Sequence, residues 1–506
     1  MSLAVLASRA LYGFQAQAVR VETHVGPGLP NFLIVGLPDA GVRESRERVR
    51  SALLSGGFEF PSGRITVNLA PADLPKDSGR FDLAIALGIL IASGQLRLPG
   101  PLAAGALEVL DRVFVGELSL TGKLRNIKGA LAIAMAVARE SPGMRLVMPE
   151  SCAGVAARVP GLVVQSAGTL EQVVRDLAGG PALPPAEAPA DPDAVASHAC
   201  LSEVRGQEVG RRALEIAASG GHSMLMCGPP GVGKSMLAQR LPGLLPPLDV
   251  PASLEVAALH GLAGHDVAPT VVPPFRSPHH TASTAAIIGG GSWPRPGEVS
   301  LAHHGVLFLD EIPEFHRPVL ESLREPLEAG VVSVARARLS CSFPAHFQLV
   351  AAMNPCPCGW AGHARRLCSC PPNRVLAYRR RLSGPLLDRI DLHVTLSPPQ
   401  GDWLNGPEGE TSGAVRERVL ACRARQLARQ QCVNAHLDGS ALRQHVELDA
   451  ASARLLAEAS ERWAWSARVV HRLLRVARTL ADMRGCERVM LEDVAEALQY
   501  RPAWGN

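Results

Sequence analysis

The octapeptide GPPGVGKS at 228–235 constrains this chain more than any other stretch. It fits G-x-x-x-x-G-K-[ST]. The apolar run SMLMC before it suits a buried strand, and MLAQRL after it suits a helix. Strand, glycine-rich turn and helix N-terminus are what a phosphate loop needs. The glycines let backbone N–H groups close round the phosphates where the helix dipole favours negative charge. The cradle is Gly228, Pro229, Pro230, Gly231, Val232, Gly233, Lys234 and Ser235. Lys234 is expected to reach the β- and γ-phosphates of ATP, and Ser235 to hold Mg²⁺. The only other lysines are Lys76, Lys123 and Lys128, so a lysine at this position is a specific signal.

Downstream stretches complete a nucleotide site. GVLFLDE at 305–311 is a continuous apolar strand ending in two acids, the pattern of a fully buried parallel strand with carboxylates at its C-terminal edge. Asp310 is expected to bind Mg²⁺, and Glu311 to orient and polarise the attacking water. QLVAAMN at 348–354 is another strand, ending in Asn354, an amide able to hold that water. In SGPLLDRIDLHV at 383–394, Arg389 lies between Asp388 and Asp391. It reads either as a local ion pair or as an arginine reaching the γ-phosphate of a neighbouring subunit, which requires a ring.

A chain of 506 residues is too long for one ordinary core. The Pro- and Ala-rich segment 179–198 has a linker's composition. Residues 1–178 read as an α/β domain. RITVNLAP (64–71) and RVFVGELSL (112–120) alternate as strands, and FDLAIALGILIASG (81–94) reads as a buried helix. Residues 199–400 form the ATPase core and 401–506 a helical region. Within that region Arg416, Arg418, Arg423, Arg425 and Arg429 read as a solvated helix face. No run approaches about 18 apolar residues, so no membrane span is expected. The N-terminus has no clear leader, which predicts a cytoplasmic protein with its 11 cysteines reduced.

Four of those cysteines, Cys356, Cys358, Cys368 and Cys370, fall in one segment, 355–372. They read as a structural Zn²⁺ site or as reduced thiols of an unliganded loop. C-x-C is tighter than the common ligand spacing, and His363 is available to replace one thiolate. A basic tip, Arg365 and Arg366, faces DNA or a next subunit on this reading.

FRSPHHTAS (275–283), IIGGGSWPRPGEVSLAHHGVLFLDEIPEF (287–315), LREPLEAG (323–330), AMNPCPCG (352–359) and SGPLLDRIDLHV together resemble the magnesium-chelatase-like AAA+ ATPases. The resemblance covers nearly the whole chain. It implies a homo-hexameric AAA+ motor using ATP and Mg²⁺, a helicase on single-stranded or branched DNA. Such a motor promotes branch migration during recombination in natural transformation, with recombination proteins as partners. It makes Arg389 an arginine finger and the C-terminal helices a lid. Arg468 stands where the lid's sensor arginine is expected, with Arg472 one turn on as the other choice.

The resemblance also implies a Lon-protease-like (ribosomal-S5-type) α/β fold for residues 1–178. There PKDSGRFDLAIALG (75–88) places Arg80 where the nucleophilic serine belongs, and Ile133 stands where the partner lysine belongs. A catalytically inactive protease fold is therefore expected, although Ser78 and Lys76 lie nearby. By the same resemblance the 275–298 and 331–343 stretches are channel insertions. Arg276, Arg295, Arg336 and Arg338 are then candidate DNA contacts, while His279 and His280 are either DNA contacts or a structural pair. Two other functions stay open: a magnesium-chelatase motor subunit and an active ATP-dependent protease.

Overall fold

The computed structural model describes residues 3–76, 78–99, 108–190, 199–265, 267–291, 294–336, 339–363, 365–398 and 408–501. It divides into two compact units. One is residues 1–193 together with 253–269, and the other is 194–252 with 270–506. Residues 253–269, which the sequence places in the ATPase core, thus belong to the first unit. Leu254, Ala257 and Ala258 on one face of the helix Val250–Ala263 are buried among Ile133, Val137 and Met148 of that unit.

The first unit is built on a seven-stranded mixed sheet. Its order is Asn31–Val35, Arg64–Ala70, Gln15–Gly26, Leu3–Tyr12, Glu108–Phe114, Arg145–Pro149 and Val164–Ala167. The helix Asp82–Ala92 is apolar all round, so it can only be a core helix, and every one of its residues is buried. The segment with linker composition is not free where it is described. Leu183 is buried, Pro184 O accepts from Ser166 N, and Ala186 N donates to Val164 O. The edge strand Val164–Ala167 offers unpaired backbone groups, and the proline-rich extended chain covers them.

The second unit centres on a five-stranded parallel sheet ordered Phe275–Arg276, Val306–Leu309, Gln348–Met353, Met224–Cys227 and Leu392–Thr395. The three middle strands are buried at every residue, as a sheet covered on both faces requires. The helices Glu208–Gly220, Ser412–Gln430, Ala467–Arg484 and Leu491–Gln499 share its core. Thr411 and Ser466 cap the second and third of these by accepting from Ala414 N and Val469 N. Among the described residues no helix is long and apolar enough to cross a membrane.

The arginine-rich face of Ser412–Gln430 is partly solvated, with Arg418 and Arg425 exposed, but four of its arginines are engaged. Arg418 binds Glu215 and Glu410, Arg423 donates to Ala218 O, and Arg425 and Arg429 bind Asp482 O and its carboxylate. These arginines join the helix to the C-terminal turn of Glu208–Gly220 and to Ala467–Arg484. The free carbonyls and carboxylates there call for cations.

His393, in the last strand of the sheet, is buried. Burial, reinforced by Arg501, pushes its pKa down to about 3. An unfolded chain's histidine takes up a proton below about 6.5, which the folded one does not. Stability tied to neutral His393 is therefore complete above that pH and is lost as pH falls toward about 3. At pH 5 the expected loss is about 2 kcal/mol. Urea unfolding at pH 7.5 and 5 should show that extra loss in the wild type and not in His393→Asn.

Candidate functional site

The phosphate loop turns directly out of Met224–Cys227 at the C-terminal edge of the parallel sheet. Gly231 and Gly233 hold φ of 80° and 91°, and nothing lies within 4 Å of where their Cβ atoms would be, so the cradle is open. Lys234 begins the next helix. Its Nζ donates to Gly228 O at 2.6 Å, Pro229 O at 3.0 Å and Asn354 Oδ1 at 2.9 Å. Burial lowers its pKa, and Cys227, Asp310 and Glu311 pull it part of the way back. Val232 O accepts from Gln207 Nε2, which ties the loop to the preceding helix.

The strand leading into Asn354 lies between the phosphate-loop strand and the one leading into Asp310. Parallel register brings all three C-terminal ends to one edge. Ser235 Oγ donates to Asp310 Oδ2 at 2.8 Å, so the two expected Mg²⁺ ligands already face each other. Glu311 follows with φ of 51°, a left-handed conformation costly for a non-glycine residue. Its N–H donates to Asp310 Oδ1. His280 Nδ1 stands 3.7 Å from Glu311 Oε2 and stacks on His279 at 4.1 Å. Sequence reasoning weighed this histidine for DNA and missed its place beside Glu311; only the pairing of strands Phe275–Arg276 and Val306–Leu309 brings the two together.

Arg389 and Arg468 lie elsewhere. Arg389 precedes Leu392–Thr395, at the N-terminal edge of the same sheet. It is buried, with Nη1 donating to Pro385 O at 2.7 Å and Nη2 2.8 Å from Glu328 Oε2. Arg468 Nη2 is 3.2 Å from the other oxygen of the same carboxylate. The two arginines thus share Glu328 and line a cavity of about 630 Å³ with Arg472 and Arg475. Arg472 is already engaged: its Nη1 binds Asp391 Oδ1 at 2.7 Å, and Asp391 also accepts from Ser223 N and Oγ. Burial alone would raise Asp391, but Arg472 and His222 beside it hold it well below the usual carboxylate range. Arg472 is thus held at Asp391, whereas Arg468 is half exposed and shares Glu328.

The candidate DNA contacts divide. Arg276 is taken up by a two-pronged ion pair with Glu298, at 2.6 and 2.8 Å, because its short strand sets it opposite that helix start. It is not a free cation. Arg295 is exposed on the short pair Gly289–Gly290 and Arg295–Pro296. Val331–Arg336 and Leu339–Pro344 form an antiparallel hairpin. Arg336 ends its first strand, and Arg338 lies outside the described residues.

The sulfurs of Cys356, Cys358, Cys368 and Cys370 all lie within 4.8 Å of one another. Three of the separations are 3.3, 3.5 and 3.5 Å. A tetrahedral Zn²⁺ with Zn–S of about 2.3 Å asks for about 3.8 Å between sulfurs, so the set fits. These thiols share their ionisation. The Trp360 amide draws Cys358 down to about 5. The Cys370 amide also lowers Cys368, but burial and the neighbouring thiols outweigh it and raise Cys368 to about 12. A cation among them removes that conflict. His363 lies outside this cluster, and its Nδ1 accepts from Arg365 N and Arg366 N. The Arg366 guanidinium instead sits 4.4 Å over Trp360.

Three family models match in succession. Subunit ChlI of Mg-chelatase matches residues 21–151, magnesium chelatase subunit ChlI matches 200–402, and its C-terminal part matches 409–501. The uncharacterized protein YifB of Salmonella typhimurium is 44% identical over 512 residues, 99% of this chain and 97% of its own length. The competence protein ComM of Haemophilus influenzae is 44% identical over 510 residues, with 99% and 98% covered. The magnesium-chelatase 67 kDa subunit of Heliobacterium mobile is 28% identical over 196 residues, 32% of this chain and 29% of that protein.

Proposed function

Since the chain belongs to the family of the magnesium-chelatase subunit ChlI, in the group of YifB and ComM, we propose that it is a hexameric AAA+ ATPase that drives DNA strands, a helicase promoting branch migration. The observation that carries this reading is the division of the site. Lys234, Ser235, Asp310 and Asn354 meet at one edge of the sheet, and Arg389 and Arg468 stand at the other. A complete hydrolytic site then takes two copies, which is the logic of a ring.

In this mechanism Lys234 exchanges its three protein oxygens for the β- and γ-phosphates. Ser235 and Asp310 hold Mg²⁺, which neutralises phosphate charge when bound. Glu311 orients the attacking water with Asn354 beside it. Arg389 and Arg468 of the next copy stabilise charge on the γ-phosphate. The C-terminal helices act as the lid. The four cysteines hold a structural Zn²⁺.

The first unit is a Lon-like fold without protease chemistry. Ser78 Oγ accepts from Arg80 Nε at 2.9 Å, Lys76 Nζ is directed to Pro71 O, and Ile133 is fully buried. A permanently charged guanidinium takes no proton from a serine.

The name of the Haemophilus influenzae relative, competence protein ComM, supports DNA as partner. The family models support the other reading, a chelatase motor subunit. ATPase assays with and without branched DNA, followed by strand displacement, separate the two. DNA should stimulate hydrolysis and strands should separate, both lost in Lys234→Ala; hydrolysis indifferent to DNA would favour the chelatase reading. The double variant Arg336→Ala/Arg338→Ala should weaken DNA binding across sequences and flatten the salt dependence by about one logarithmic unit per contact. An unchanged salt slope would remove the hairpin from the DNA path.

A further inference from the structure

We infer that the four-cysteine site braces the phosphate loop, so that its metal sets the affinity for ATP. This deepens the reading of the cysteines as a Zn²⁺ site and rests on it. Cys356 follows Asn354 by two residues, and Asn354 Oδ1 accepts from Lys234 Nζ at 2.9 Å. The first ligand of the site is thus joined by Pro355 to the amide that holds the P-loop lysine. Arg379 Nε donates to Pro355 O at 3.3 Å and steadies that join.

The second connection is steric. Gly359, one residue past Cys358, is buried with φ of 84°. A Cβ there would fall 2.6 Å from Pro230 Cδ and 2.7 Å from its Cγ. The cysteine loop therefore lies directly against the proline of the phosphate cradle. Only glycine allows both the left-handed backbone and the approach.

Among the described residues the loop also makes local contacts: His363 Nδ1 accepts from the Arg365 and Arg366 amides, and Arg366 covers Trp360. Leu367, between the two cysteine pairs, is 95% exposed. Cys356 is fully buried, and its sulfur accepts from Ala361 N at 3.2 Å. The cross-link through the metal fixes the loop. The loop in turn presses on Pro230 from one side and sets Asn354 from the other. Without the metal, four thiols within 4.8 Å of one another lose the cation that gathers them, and both supports of the cradle relax.

The test uses the full-length protein, with metal analysis and titration of a fluorescent ATP analogue in excess Mg²⁺. About one Zn²⁺ per chain is expected as purified. Chelator-stripped protein and Cys370→Ser should both bind the analogue about tenfold more weakly. Added Zn²⁺ should restore the stripped protein and not the variant. Gly359→Ala should keep its metal and still bind more weakly, because its methyl displaces Pro230. Well under one Zn²⁺ per chain, not raised by added metal, would overturn the metal reading beneath the proposal. A full complement of metal, with stripped protein and Cys370→Ser binding the analogue as tightly as the wild type, would overturn the brace alone.

Discussion

Glu311→Gln is expected to bind ATP as the wild type does and to hydrolyse it about 10²–10⁴-fold more slowly. The separation of the two effects follows from the geometry. The groups assigned to phosphate and Mg²⁺ are Lys234, Ser235 and Asp310, and the hydrogen bonds that Lys234 and Ser235 donate do not go to the Glu311 side chain. Glu311 contributes only its backbone N–H to Asp310, which glutamine keeps. Its left-handed φ of 51° stores on the order of 1–3 kcal/mol, and its carboxylate lies 3.7 Å from His280 Nδ1. A neutral amide there still fills the space and still meets His280, but it no longer polarises a water. Single-turnover hydrolysis beside a nucleotide titration checks both halves. Hydrolysis within about threefold of the wild type would move the water-activating role to another residue.

What the sequence shows of this site follows the range of the interactions. The phosphate loop, the acids after Val306–Leu309 and Asn354 after Gln348–Met353 are readable because each is a strand with its polar end written next to it. Parallel pairing then places all those ends on one edge without further information. The hairpin at 331–344 is legible for the same local reason, an alternating pattern across a short turn.

Partners far apart in the chain are not legible. Nothing near Arg276 marks Glu298 as its ion pair, and Glu328 lies 61 residues before one of its arginines and 140 before the other. The arginines of Ser412–Gln430 look solvated by helical spacing alone because Glu215 and Asp482 come from other helices. The cover that residues 183–186 give to an edge strand is likewise invisible in a proline-rich composition.

The sharing of Glu328 leads to the second large effect. Arg389→Ala is expected to retain ATP and lose about 10³-fold in hydrolysis. Mixed with the equally inactive Lys234→Ala, it should regain activity. Arg389 and the phosphate loop stand at opposite ends of parallel strands, Leu392–Thr395 and Met224–Cys227, four residues each. At about 3.3 Å per residue that separation is about 13 Å, longer than an arginine side chain. If Arg389 serves a γ-phosphate, as proposed, that phosphate belongs to another copy. In a mixed ring, a Lys234→Ala subunit offers its intact Arg389 to the intact phosphate loop of an Arg389→Ala neighbour, and that junction is complete. In the single chain Glu328 neutralises Arg389 and Arg468 together. On the proposed reading the incoming phosphate displaces this one carboxylate and meets two arginines at once. If the mixture hydrolyses ATP no faster than either variant alone, the arginine is not supplied across a subunit boundary and the divided site has no catalytic meaning.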